Sequence, residues 1–95
     1  MKCKNEKSNL NKYRKSINKI DKKMIFLFEK RMQISKIISL YKKKNKIPIF
    51  DKNRENEIIS VNSKKIKNPK IKKYYLNFIK NILKMSKEYQ EESQI

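Results

Sequence analysis

The sequence predicts an all-α protein of three helices, in which the first helix is much longer than the others. Three observations support this prediction. The 95 residues include no glycine, so hairpins and glycine-rich phosphate loops, which need positive φ angles, are disfavoured. Apolar residues recur at alternating steps of three and four in the N-terminal half, as in a heptad repeat. The two prolines, Pro48 and Pro69, lie where helices are expected to break or begin.

The first helix is predicted from about Asn9 to Lys44, because no proline or glycine interrupts this stretch. Such a helix is ~54 Å long, whereas a compact chain of this size is roughly 32 Å across. Its apolar stripe continues over the overhang, so a second copy of the chain is the simplest cover for it. The apolar stripe consists of Leu10, Tyr13, Ile17, Ile20, Met24, Leu27, Ile34, Ile38 and Tyr41.

The second and third helices have recognisable starts. Asp51 is a favourable N-cap for a second helix over about residues 52–66. Asn68 followed by Pro69 is typical of a helix start, because proline needs no hydrogen-bond acceptor at the first helical position. The third helix is predicted to end near Glu91.

The length allows one domain, which we expect over residues 9–92, between a disordered tail of residues 1–8 and a short tail of residues 93–95. The single cysteine, Cys3, cannot form an intrachain disulfide, so we expect a solvated thiol in a reducing compartment. No apolar run approaches the ~20 residues of a membrane span, and no signal-peptide core is visible. We therefore expect a cytoplasmic protein.

The net charge of +18 suggests an anionic partner. A second explanation is a composition biased towards Lys, Asn and Ile, in which lysine fills every tolerant surface position. Against that background the three arginines are informative, because a guanidinium binds a carboxylate through two parallel hydrogen bonds that an ammonium cannot make. They are Arg14, Arg31 and Arg54.

Arg31 occupies the one stripe position that is not apolar, and it shares a face of the first helix with Ser35 and Lys42. Residues 31 and 42 differ by about 20° around the axis and ~16 Å along it, so two long side chains can hold a small anion between them. The alternative for Arg31 is an ion pair with a carboxylate of a later helix. The alternative for Lys42 is a solvated lysine within a lysine run.

Arg14 lies 17 positions before Arg31, or ~25 Å away along a helix. It cannot reach the same small ligand within one chain. In an antiparallel dimer, however, Arg14 of one chain can approach Arg31 of the other. Taken by itself, Arg14 is typical of a surface residue.

Two further pairs of polar residues lie in the later helices. Arg54 and Glu55 are in the first turn of the second helix, where a glutamate also favours the helix dipole. Ser86 and Gln90 are one turn apart on the third helix. Each pair has a structural alternative, which is capping for the first and an interhelix hydrogen bond without a ligand for the second.

In combination these features resemble the small all-helical chorismate mutases. The segments that carry the resemblance are YRKSINKID, EKR, YKKKNKIPIFDKNRENEII and MSKEYQ, and it covers about residues 10–91. It implies an intertwined homodimeric six-helix bundle with two equivalent sites. It also implies the rearrangement of chorismate to prephenate, in phenylalanine and tyrosine biosynthesis. That reaction is unimolecular and needs no nucleophile, metal or redox cofactor.

The resemblance implies how the substrate is held and activated. Arg31, together with Arg14 from the partner chain, is expected to bind the two carboxylates of chorismate. Lys42 and Gln90 are expected to donate hydrogen bonds to the ether oxygen of the breaking bond, where negative charge develops.

The resemblance also implies roles for residues of the second and third helices. Glu55 and the backbone near Asp51 are expected to hold the ring hydroxyl. Arg54 is expected to line the site, and Ser86 to contact a carboxylate. The predicted catalytic set is Arg31, Lys42, Glu55 and Gln90.

Three alternatives stay open. Isochorismate pyruvate lyase shares the scaffold and resembles this chain at Arg14, Arg31, Lys42 and Gln90, while Glu55 favours the mutase. A basic helical nucleic-acid-binding protein is supported by the charge and the five tyrosines, but no helix-turn-helix, zinc-finger or RNA-binding signature is visible. An inert helical dimer descended from an enzyme is disfavoured by the intact site residues.

Overall fold

The computed structural model of the protein describes the backbone of residues 2–95 and the side chains of residues 8–95. Within that range the chain forms three α-helices and no strand: α1 Lys2–Lys44, α2 Lys52–Ser63 and α3 Pro69–Ser93. The prediction of an all-helical chain with a long first helix is confirmed. None of the helices in the described range carries an apolar stretch sufficient to cross a bilayer.

Both predicted caps are present at the starts of α2 and α3. The Asp51 side chain accepts a hydrogen bond from the backbone N–H of Arg54 at 2.9 Å. The Asn68 side chain accepts one from the backbone N–H of Lys70 at 2.9 Å. In each case a short polar side chain satisfies a backbone donor that has no partner within the helix. Pro69 occupies the first turn of α3, as predicted.

The start of α1 differs from the prediction. The helix begins at Lys2 rather than near Asn9, because the intervening residues include neither a glycine nor a proline that would end it. Met1 lies outside the described residues, as do the side chains of residues 2–7. The predicted solvated thiol of Cys3 is among them, so it stays a prediction, as do the expected domain boundaries.

The ends of α2 and α3 also differ from the prediction. α2 ends at Ser63 rather than near Ile66. The N–H groups of Lys65 and Ile66 bond to carbonyls three residues back, as in a tightened final turn. α3 runs to Ser93 rather than Glu91, since nothing after Glu91 breaks the helix.

The end of α1 contains the one described residue with a positive φ, which is Lys46 at 56°. Around it the Lys46 N–H bonds to the Lys43 carbonyl at 3.3 Å, and the Ile47 N–H bonds to the Lys42 carbonyl at 2.8 Å. This pair of bonds is the Schellman motif, in which glycine normally occupies the left-handed position. A chain without glycine thus closes its longest helix with a strained lysine.

Residues 32–95 form one compact unit, made of the end of α1 together with α2 and α3. Its buried apolar side chains are those of Ile79 and Leu83, both on α3. The other buried residues are serines: Ser35, Ser39, Ser63 and Ser86. Two buried apolar side chains are a small core for a unit of this length.

Residues 1–31 are a separate unit that contains a single helical segment. Every described side chain from Ser8 to Lys30 is exposed, and only Arg31 is half-buried. The N-terminal part of the apolar stripe is therefore in contact with solvent, including Tyr13 at 67% and Leu27 at 60% exposure.

Candidate active site

The candidate site lies in the unit of residues 32–95, where α3 packs against the end of α1. Ser35 Oγ of α1 lies 2.6 Å from Ser86 Oγ of α3. Gln90 Nε2 donates to the same Ser35 Oγ at 2.9 Å. Residues 86 and 90 are one helical turn apart, so both side chains face Ser35. The interhelix hydrogen bonds foreseen as the structural alternative for Ser86 and Gln90 are therefore present.

One turn further along, contacts to the backbone join the same two helices. Ser39 is fully buried, and its hydroxyl donates to the carbonyl of Gln90 at 2.6 Å. Gln94 Nε2 donates to the carbonyl of Ser39 at 3.0 Å, and Lys43 Nζ donates to the carbonyl of Gln94 at 2.6 Å. Gln90 is consequently held twice, through its main chain by Ser39 and through its side chain by Ser35.

The carboxamide of Gln90 leaves one buried polar atom without a partner. Its Oε1 is buried and accepts no hydrogen bond within the described part of the chain. An unsatisfied buried polar atom costs about 1–3 kcal/mol and is uncommon enough in folded proteins to call for an explanation. A carboxamide turned by 180° would supply one, because Oε1 would then accept from the Ser35 hydroxyl that now accepts from Nε2.

Lys42 is held by the connector between α1 and α2. Its Nζ donates to the carbonyl of Ile49 at 2.8 Å, and the residue is half-buried. An ammonium has three donors, so two are left for other acceptors. Lys42 follows Ser35 by two turns, a separation of about 20° around the axis and ~10 Å along it. The two side chains therefore share a face of α1, and Lys42 is more constrained than an ordinary solvated lysine.

A cation over an aromatic ring ties the same connector to α3. The ammonium of Lys87 lies 4.6 Å from the ring centroid of Phe50, within the range of a cation–π interaction. Phe50 follows Ile49, whose carbonyl holds Lys42. The connector that orients Lys42 is therefore attached to the helix that carries Gln90.

The predicted site residues of α2 have more open surroundings. Asp51 is exposed and serves as the N-cap. Arg54 is exposed and donates to Glu57 Oε1 at 2.7 Å, which is the one ion pair among residues 8–95. Glu55 is half-buried. An exposed pair at this spacing contributes only a few tenths of a kcal/mol, and the predicted roles of Asp51, Arg54 and Glu55 stay predictions.

Arg14 and Arg31 belong to the unit of residues 1–31. Arg14 is exposed and Arg31 is half-buried. Their predicted roles in carboxylate binding also stay predictions. Of the eight predicted site residues, the structure joins Ser86 and Gln90 through one hydroxyl and places Lys42 on the same face of α1 as that hydroxyl.

The sequence pattern places Ser35 on the site face without indicating its role, and it does not indicate Ser39. Both are buried and bond across to α3. The available signal was their spacing of four residues, since two small polar residues one turn apart on a helix favour close approach of a neighbouring helix.

Comparison with known protein families gives one match. The chain matches the family model described as chorismate mutase type II over residues 13–91, a range that contains all eight predicted site residues. No curated protein and no solved structure matches it. Since the family match covers most of the sequence, the chain belongs to the chorismate mutase type II family, a family of isomerases.

Proposed function

We propose that this chain converts chorismate to prephenate in the cytoplasm, as an intertwined homodimer that uses no cofactor and serves phenylalanine and tyrosine biosynthesis. The observation that best supports the proposal, beside the family match, is a pair of constrained donors. The Lys42 ammonium is fixed by the Ile49 carbonyl, and the Gln90 carboxamide is fixed by Ser35. An ammonium and a carboxamide –NH₂ are both hydrogen-bond donors.

The rearrangement breaks a carbon–oxygen ether bond while a carbon–carbon bond forms within the same molecule. No group leaves and no proton is required. Negative charge develops on the ether oxygen in the transition state, so donors already fixed in place stabilise the transition state more than the substrate. In this proposal Lys42 and Gln90 are those donors.

The substrate carries two carboxylates, which have to be brought together in a compact conformer. In this proposal Arg31 binds one carboxylate and Arg14 of the partner subunit binds the other, each through a bidentate contact. Holding the reacting ends close together removes much of the entropic part of the barrier. The net charge of +18 attracts a dianion towards the protein.

The remaining residues are assigned to the ring and its surroundings. Glu55 and the backbone near Asp51 hold the ring hydroxyl, and Arg54 lines the site. For Ser86 the resemblance gives a contact with a carboxylate. In the free chain Glu55 is half-buried, and Arg54 is already paired with Glu57, so this assignment requires Arg54 to leave an exposed ion pair when substrate binds.

Exposure of the apolar stripe supports the homodimer. Leu10, Ile17 and Met24 are 46%, 55% and 47% exposed, although they follow one face of α1 at heptad spacing. A continuous exposed apolar stripe is typical of a protein interface. A second copy supplies a matching stripe, and it also brings a second Arg14.

The proposal is tested by incubating purified protein with chorismate and, in a separate assay, with isochorismate, following the loss of substrate absorbance and identifying the product by mass spectrometry. Expression in a host that lacks its own mutase, with the Lys42→Ala protein purified in parallel, excludes a contaminant. Prephenate as the product supports the proposal. Pyruvate released from isochorismate supports the lyase. A folded dimer that turns over neither compound, but binds nucleic acid in a salt-dependent manner, contradicts the proposal.

A further inference from the structure

We infer that Ser35 is a positioning residue which sets the orientation of the Gln90 carboxamide, and that Ser86 acts on Gln90 through Ser35. The inference rests on the proposed function, because it concerns the group that faces the ether oxygen. It follows from three hydroxyl and amide groups that contact one another, and from the unpartnered Gln90 Oε1.

A carboxamide can present either end to a ligand, and the two ends have opposite effects here. In the structure Gln90 Nε2 donates to Ser35 Oγ, while Oε1 is buried without a partner. An oxygen directed at the ether oxygen would repel it as negative charge develops. Turning the carboxamide by 180° about its last bond exchanges the two ends and places the –NH₂ where Oε1 now lies.

A hydroxyl at position 35 is suited to both orientations. It accepts from Gln90 Nε2 in the free chain, and it donates to Gln90 Oε1 once the carboxamide has turned. Alanine can do neither. Ser35 is 3% exposed, so water cannot readily take the place of its hydroxyl. Ser35 thus keeps the carboxamide bonded in either orientation and leaves the opposite end for the substrate.

The short contact between Ser35 and Ser86 determines which of the two hydroxyls donates to the other. The two hydroxyl oxygens are 2.6 Å apart, so one of them donates to the other. If Ser35 donates to Gln90, Ser86 has to donate to Ser35, because each hydroxyl has a single proton. The hydrogen bonds then run from Ser86 to Ser35, from Ser35 to Gln90 Oε1, and from Gln90 Nε2 to the ether oxygen.

This arrangement changes the role of Ser86. A Ser86 hydroxyl that donates to Ser35 has no second proton for a substrate carboxylate. Hydrogen bonds that donate in one direction along a chain also strengthen one another. Ser86 is therefore assigned to the support of Gln90, in place of the carboxylate contact that the resemblance implies.

The test is a set of double-mutant cycles, in which kcat and KM of single and double variants of the full-length protein are compared. Ser35→Ala should lower kcat about tenfold with little change in KM, which is less than the ~10²-fold expected for loss of a preorganised donor. In a Gln90→Ala background, Ser35→Ala and Ser86→Ala should each have no further effect on kcat, since the group they orient is gone. Ser35→Thr, which keeps the hydroxyl, should recover part of the lost rate.

The matched control is Ser63→Ala, which removes the hydroxyl of a buried serine that bonds to the Ser60 carbonyl in α2. It should leave kcat unchanged. Wild-type kcat in a folded Ser35→Ala protein would overturn the inference. So would a Ser35→Ala effect that multiplies with that of Gln90→Ala, because independent effects multiply.

A second readout does not depend on activity. In ¹⁵N NMR spectra the side-chain –NH₂ of Gln90 should be protected from hydrogen exchange in wild type and in Ser63→Ala, and should lose that protection in Ser35→Ala. If wild type turned over no chorismate but this pattern held, the proposed function would fail while the contact of Ser35 with Gln90 stood. Equal protection in all three proteins would overturn the inference directly.

Discussion

The helical segment of residues 8–30 differs from the unit of residues 32–95 in what its side chains pack against. In the first region every described side chain is exposed, although the apolar stripe runs through it. In the second region the helices are joined by serine, glutamine and lysine contacts around two buried apolar side chains. The first region therefore has apolar surface without a partner, and the second has specific polar contacts but little apolar core.

This difference indicates which physical effect each region lacks. Apolar burial supplies most of the free energy of folding and has little directionality. Hydrogen bonds contribute less net stability, but they fix geometry. A second copy of the chain would give the first region the burial it lacks, and the second region already has the geometry that a site needs.

The largest effect is expected from a charge placed in the apolar stripe. Ile17→Asp should abolish the dimer and most of the helical signal, because the separated chain has only a small core. The matched control is Asn18→Asp, which introduces the same residue at a neighbouring position outside the apolar stripe and should leave the dimer intact. Sedimentation velocity and circular dichroism measure both. A folded, monomeric Ile17→Asp protein would show that residues 32–95 are stable without the stripe.

The second-largest effect is expected at Lys42, and it tests the assignment of this residue as a donor to the ether oxygen. Lys42→Ala should lower kcat by about 10²-fold or more, the scale for losing a preorganised donor to developing charge. Lys42→Arg should also be slow, because a planar guanidinium displaces the single donor. Lys44→Ala removes an exposed lysine of the same run and should behave as wild type. If Lys42→Ala and Lys44→Ala have equal rates, the wrong lysine has been assigned.

The Gln90→Glu variant tests whether residue 90 faces the ether oxygen, through the pH dependence of kcat/KM. An ionised glutamate presents only acceptors to the ether oxygen, whereas its protonated form can donate. The variant should therefore be most active in acid and lose activity as the pH rises and the new carboxyl ionises. Wild type has an amide there, and its kcat/KM should be nearly flat from about pH 5 to 9. Parallel profiles for the two proteins would mean that residue 90 does not face the reacting oxygen.

The smallest effect concerns stability alone. Lys46 has a φ of 56°, a conformation that costs a residue with a Cβ about 1 kcal/mol. Lys46→Gly should therefore stabilise the folded protein slightly, raising Tm by a few degrees. Lys36→Gly, at an exposed position inside α1, is the control and should lower Tm. A lower Tm for Lys46→Gly would mean that the lysine side chain makes a contact worth more than the strain.

Much of the fold could be predicted because its signals are local. Asp51 and Asn68 act within one turn of their own position, and Pro69 restricts its own backbone. The start of α1 was missed because no residue there favours an end over a continuation. Lys46 was missed because a positive φ is rarely assigned to a residue other than glycine, asparagine or aspartate.

The candidate site was predictable only in part, for a related reason. Ser86 and Gln90 could be paired because they are one turn apart on the same helix. Their partner Ser35 is 51 residues away from Ser86 in sequence, and the contact depends on how α1 and α3 are aligned. No periodicity within one helix contains that information, so the role of Ser35 required the structure.

The most direct test of the central claim, that two chains share each site, is to mix two inactive variants. Arg14→Ala and Arg31→Ala should each be nearly inactive. In the heterodimer one site carries both changes and the other carries neither. After subunit exchange an equal mixture should therefore recover about a quarter of the wild-type sites, as expected for random pairing into dimers. If exchange is demonstrated by mass spectrometry and no activity returns, Arg14 does not act across the interface and the shared site is contradicted.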